Sequence, residues 1–268
     1  MDAPLRFRLV KLDELTIDDR SSFTGVAIYG RLEEILRRSA HCFRIPERGQ
    51  TVSWDRALFL NLTYWNQDEG ADVLGDDHIP ADVVAHVGWH EVVGRELARR
   101  RSPPSDLPSA GALFLAESIA SAFDLYLVGR LLPRAPECDF VTTQVPLMAE
   151  CAAEAGLPQA AFSAVLEEVV RQPERAFEDL RALLFDAATA LLACSGVAEA
   201  QAVLEGLADS RFAPLLHHYQ LSNWILYARA YAQPLVADPV AIEVDRALRQ
   251  ARVSLEWLDR HFIEAAAE

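Results

Sequence analysis

Cysteine is scarce in this chain and never closely paired. Cys42, Cys138, Cys151 and Cys194 are its only four, and they form no CxxC pair. That argues against a disulfide frame or a zinc knuckle, and for reduced thiols in a cytoplasmic setting. Nucleotide motifs are missing too. There is no P-loop, no GxGxxG after a strand and no GxSxG elbow, so kinase, nucleotide-dependent dehydrogenase and serine-hydrolase chemistry find little support. Bases are in deficit, with 25 Lys and Arg against 40 Asp and Glu, a formal net charge of −15. Such a surface repels phosphate backbones and argues against nucleic-acid binding. It serves solubility, or else a basic partner. No uninterrupted apolar run reaches the length of a membrane span, and Met1-Asp2-Ala3-Pro4 opens without a basic region followed by an apolar stretch. Neither a membrane span nor a signal peptide is therefore expected.

What is present is apolar and helix-forming. Hydrophobic residues make up 51% of the 268 positions, enough for a substantial core. Alanine and leucine dominate that set and β-branched residues are scattered, which favours helix over sheet. The expected fold class is all-α, a bundle of about nine or ten helices with a small β or extended N-terminal part.

Along the chain, Leu5 to Leu12 alternates partly and reads as a short strand or arm. A helical spacing follows in Phe23, Val26, Ala27, Ile28, Leu32, Ile35 and Leu36. Ser53 suits the N-cap of a helix through Trp54, Leu58, Leu62 and Trp65, with a strand as the competing reading. The acidic, glycine-punctuated stretch 66–78 reads as a loop. Asp76 to Pro80 should open a helix running to about Arg100, and a second runs from about Ser109 to Leu132. Further helices are expected near 142–155, 158–171, 174–194, 197–208, 211–232 and 239–265. No fixed repeat period is found. A soft boundary at Pro136 divides a site-bearing part, 1–136, from a helical part, 137–268. No flexible linker marks it, so one single domain is the other reading.

The residues that carry chemistry cluster in two neighbouring helices. His86 and His90 stand four apart, hence on one helical face, a spacing at which two imidazoles chelate one metal ion. On the next helix Glu117, Ser121 and Asp124 share a face and interrupt an apolar run of Leu113, Phe114, Leu115, Ile119, Phe123, Leu125 and Leu127. Polar groups on a buried helix are costly unless something satisfies them. Antiparallel packing would bring Glu117 to the histidines as a third ligand. Ser121 and Asp124 would stand behind the ligands, Asp124 holding an imidazole by its free N–H.

Val84-Ala85-His86-Val87-Gly88-Trp89-His90 and Glu117-Ser118-Ile119-Ala120 together resemble the metal-site helices of gluzincin metallopeptidases, the thermolysin type. Those proteins carry HExxH on one helix and a glutamate ligand on the next. The resemblance spans roughly the fifty residues from Pro80 to Gly129 and implies zinc at His86, His90 and Glu117. One departure is plain: where the family has its water-activating glutamate, this chain has Val87, which takes no proton. Glu91 is the nearest substitute, about a hundred degrees round the helix from His90. Starting the motif at His90-Glu91 instead restores the glutamate but puts Gly94 in place of the second histidine.

Three function classes remain open at this point. One is metal-assisted hydrolysis of a peptide or small molecule, or a relative that has lost catalysis. Another is a non-haem iron oxygenase, since two histidines and a carboxylate also suit iron. The last is a non-catalytic helical module with structural histidines, holding a protein partner or a second copy of itself. His217-His218-Tyr219 could complete a site or contact a substrate, but reads more readily as the polar tip of a helix bearing Trp224, Tyr227 and Tyr231. Trp54, Tyr64 and Trp65 could line a pocket, yet aromatics at helical spacing are more often core. His41, His78 and His261 read as surface or helix-end residues.

Overall fold

Short strands frame the first helices, and among the described residues every later element is helical. The computed structural model describes residues 6–46, 74–101, 107–216, 218–232 and 238–267. The segment expected to carry Trp54, Leu58, Leu62, Tyr64 and Trp65 lies outside the described residues, as do His217 and the side chains of His218 and Tyr219. The chain forms two compact units, Met1–Glu91 and Val92–Glu268.

In the first unit, β1 (Phe7–Val10) pairs antiparallel with β3 (Phe43–Pro46), Phe7 opposite Pro46 and Val10 opposite Phe43. A second two-stranded sheet joins β2 (Thr16–Asp18) in parallel to β4 (His78–Pro80). His78 was expected inside a helix start. It sits in β4 instead, because Thr16, Ile17 and Asp18 offer this segment a ladder before the helix can begin. The exposed His78 ring bonds Asp18 at 2.7 Å, and this bond and the carboxylate's charge hold its pKa above the ordinary value.

The helical spacing from Phe23 is split in the structure. α1 (Arg20–Phe23) ends before Gly25, and α2 (Ala27–Arg38) follows. α2 buries Tyr29, Leu32, Ile35 and Leu36 along one stripe. Glu33 is buried among them. Burial alone would raise its pKa, but hydrogen bonds from Arg20 and Arg37, at 2.9 and 3.0 Å, outweigh it and hold the carboxyl below its usual range. β4 runs without a loop into α3 (Ala81–Arg100). At Gly88 an added Cβ would stand 3.0 Å from the Leu32 Cβ and 3.3 Å from the Leu32 carbonyl oxygen, so α2 and α3 meet there almost backbone to backbone.

The second unit is built around α4 (Ala110–Leu131), which Ser109 caps by accepting the Ala112 N–H at 3.1 Å. Around and after it come α5 (Asp139–Glu154), α6 (Gln159–Arg171), α7 (Pro173–Ala193), α8 (Val197–Gly206), α9 (His218–Tyr231) and α10 (Pro239–Gln250). The chain closes with α11 (Ser254–Leu258), a π-helical turn (Asp259–Ile263) and α12 (Glu264–Ala267). The all-α expectation holds: the only sheets among the described residues are the two short pairs.

α4 packs chiefly on α7 and is buried on all sides, the behaviour of a core helix. By length and average composition alone it would pass for a membrane span. Glu117 and Asp124 interrupt the apolar run, yet α4 is long and apolar enough by average composition, with most of that stretch buried inside the protein. Its C-terminal end depends on a glycine. A Cβ at Gly129 would fall 2.7 Å from the Val169 carbonyl oxygen and 2.9 Å from Pro173. Gly129→Ala is expected to lower stability by about 1–3 kcal/mol, because backbone must move. That exceeds the roughly 1 kcal/mol of helix propensity that alanine brings. Gly30→Ala, in α2 with nothing within 4 Å of the added carbon, shows only the gain. Urea unfolding of the two variants checks the opposite signs.

Candidate metal centre

α3 starts one residue after Pro80, so its register is set where β4 ends. From that start Ala81, Val84, Ala85, Val87, Trp89, Val92 and Val93 are buried, while His86, His90 and Glu91 are half-buried. The two imidazoles lie one turn apart, with ring centroids 5.2 Å from each other and planes inclined by 37°. Both residues are half-buried, and the Nε2 atom of His90 is buried from solvent.

Glu117 lies in the second turn of α4, where the residue is only 7% exposed. One donor atom each from His86, His90 and Glu117 lie within 4.8 Å of one another, and among the described residues these three make up the cluster. Donors about 2.1 Å from a tetrahedral zinc stand roughly 3.4 Å apart. The three groups therefore need a closure of at most about 1.4 Å, within reach of side-chain rotation.

Behind the carboxylate, Ser121 donates its Oγ–H to Glu117 Oε1 at 3.0 Å. Ser118 does something different: fully buried, it donates to the Leu115 carbonyl oxygen of its own helix at 2.9 Å. Asp124 is half-buried, seven residues beyond Glu117 and so on the same face of α4. Val87, at the family's glutamate position, is 2% exposed and apolar.

The structure thus brings together the three expected ligands and places Ser121 against one of them. Gly88 marks a close approach between helices. The side without a Cβ faces Leu32 of α2. The other histidines are placed elsewhere. His41 packs edge-on against Phe43 at 4.9 Å, and His261 stacks on Trp257 at 4.3 Å. No protein-family model, no curated protein and no solved structure matches the chain, so what can be said of the site comes from its own side chains.

Proposed function

We propose that the protein binds one divalent metal ion, zinc, through His86, His90 and Glu117, and that it is a zincin-like hydrolase acting on an amide or similar bond of a peptide or small molecule. The observation that carries this reading is the convergence of three metal-ligating groups from two helices within 4.8 Å. Two neutral imidazoles and one carboxylate leave a net positive charge on the ion and a free coordination position, the pattern of catalytic rather than structural zinc. When bound, zinc lowers the pKa of a coordinated water towards 7 and polarises a carbonyl oxygen.

The chain's own residues set limits on this chemistry. Val87 cannot accept a proton. Glu91, next to His90 and half-buried, is the proposed base, displaced round the helix from the family's position. Asp124 is proposed to orient an imidazole through its second nitrogen.

Elemental analysis of the full chain, purified without chelators, tests the proposal. The expected result is about one zinc per chain. Stoichiometric iron would replace the hydrolase with an oxygenase, for which the same donor set is suited. A well-folded chain with no stoichiometric metal would leave a helical binding module with structural histidines.

A further inference from the structure

We infer, resting on the metal reading above, that Ser121 is a positioning residue: it holds Glu117 as a one-oxygen ligand, so the metal keeps an exchangeable position that accepts a small oxygen-donor anion such as a hydroxamate or a carboxylate.

The argument starts from the single proton a serine hydroxyl has to give. Within a helix that proton usually goes to a carbonyl three or four residues back, which is what Ser118 does with Leu115. Ser121, one turn further on, sends its proton to Glu117 Oε1 at 3.0 Å. The two residues are four apart on α4, so helix geometry alone keeps them together. A carboxylate with one oxygen tied to its own helix has its plane fixed before any metal arrives. It then presents its oxygens to an incoming ion unequally. Chelation through both oxygens would require the carboxylate to turn and break the bond from Ser121. One-oxygen ligation keeps that bond, and charge on the carboxylate strengthens it. Three single donors are one short of a tetrahedral set. With no fourth His, Cys, Asp or Glu in the cluster among the described residues, the remaining position falls to an exogenous ligand. That ion is positively charged and sits beside half-buried imidazoles, so an anionic oxygen donor is the class it takes.

Cobalt(II), added to the metal-stripped full chain, gives a visible band whose strength reports coordination number. The unaltered protein is expected to take up cobalt with a strong four-coordinate band, which shifts on adding acetohydroxamate. Ser121→Ala is expected to bind cobalt about 10- to 100-fold more weakly. Its band should be weaker, as the released carboxylate chelates through both oxygens. Ser121→Thr restores affinity and band. Ser118→Ala, which removes a fully buried hydroxyl bonded to the backbone, leaves both unchanged even where it lowers the melting temperature. Unchanged cobalt affinity and spectrum in Ser121→Ala would overturn the inference and leave the metal reading standing. So would an unaltered band when acetohydroxamate is added to the wild type, an arm that needs no variant to fold. A wild-type chain that takes up no cobalt would defeat the metal reading itself, and this inference with it.

Discussion

Chains carrying His86→Ala or His90→Ala are expected to lose stoichiometric metal, while His78→Ala retains it. Each removes one of three donors, so the loss of affinity should exceed the roughly 100-fold that follows removal of an outer hydrogen-bonding group. Stability separates this from a structural role. Both imidazoles are half-buried, and in metal-free buffer their removal is expected to change unfolding free energy by less than about 1 kcal/mol. With metal at a thousand times its dissociation constant, the unaltered chain should gain about 4 kcal/mol and the variants almost nothing. Were the histidines structural, alanine would cost the same with metal and without it. Thermal melts in chelator and in excess zinc, run on all four proteins, decide between these patterns.

Arg181→Ala is expected to be the most damaging change away from the metal centre. The Arg181 side chain is 0% exposed, yet it carries a full charge on α7. Its Nε and Nη2 donate to both oxygens of Glu178, at 2.8 and 2.7 Å, and its Nη1 donates to Asp245 on α10 at 2.8 Å. Asp245 in turn accepts from Arg249, which also reaches Asp186 at 2.7 Å. Burial tends to lower the Arg249 pKa, but its bonds to Asp245 and the nearby carboxylates raise it above its ordinary value. Removing the arginine leaves two largely buried carboxylates short of a partner and empties the space its stem fills. The expected loss is about 3–5 kcal/mol. The exposed pair Arg38–Glu34 makes the contrast, since breaking it should cost no more than about 0.5 kcal/mol. Urea titrations of Arg181→Ala and Arg38→Ala give the comparison. A loss under 1 kcal/mol for Arg181→Ala would show that the α7–α10 contact stands without its ion network.

Much of this architecture is legible in the residues, and the exceptions have physical causes. The two site helices, expected at about 80–100 and 109–132, form at Ala81–Arg100 and Ala110–Leu131. Pro80, Ser109 and the run Arg99-Arg100-Arg101, whose positive charge suits the end of the first of these helices, are local signals that need no tertiary help. The His86–His90 spacing is equally local. Convergence with Glu117 follows from the next helix carrying a polar face inside an apolar run. Where long-range contacts decide, the pattern misleads. His78 joins a strand because a segment 60 residues earlier pairs with it. The helix expected over 239–265 breaks after Gln250 with no glycine or proline to mark it. There the chain turns to bury Leu255, Leu258, Phe262 and Ile263, and the Arg100 guanidinium lies 5.0 Å over the Phe262 ring. No window of neighbouring residues contains that information. Nor does a sequence pattern tell a serine that bonds its own backbone, as Ser118 does, from one that bonds a glutamate, as Ser121 does.

The near-contact between Gly88 and Leu32 has a consequence for retuning the proposed metal site. Both imidazoles leave α3 within one turn of Gly88, so they form a claw whose base is held against α2 while the rings keep their own rotation. A side chain introduced at position 88 would press on Leu32 and move the base of the claw. Changes of preference between zinc and harder ions are therefore better sought on the carboxylate's helix, where the donor can be lengthened, shortened or exchanged while the claw stays put.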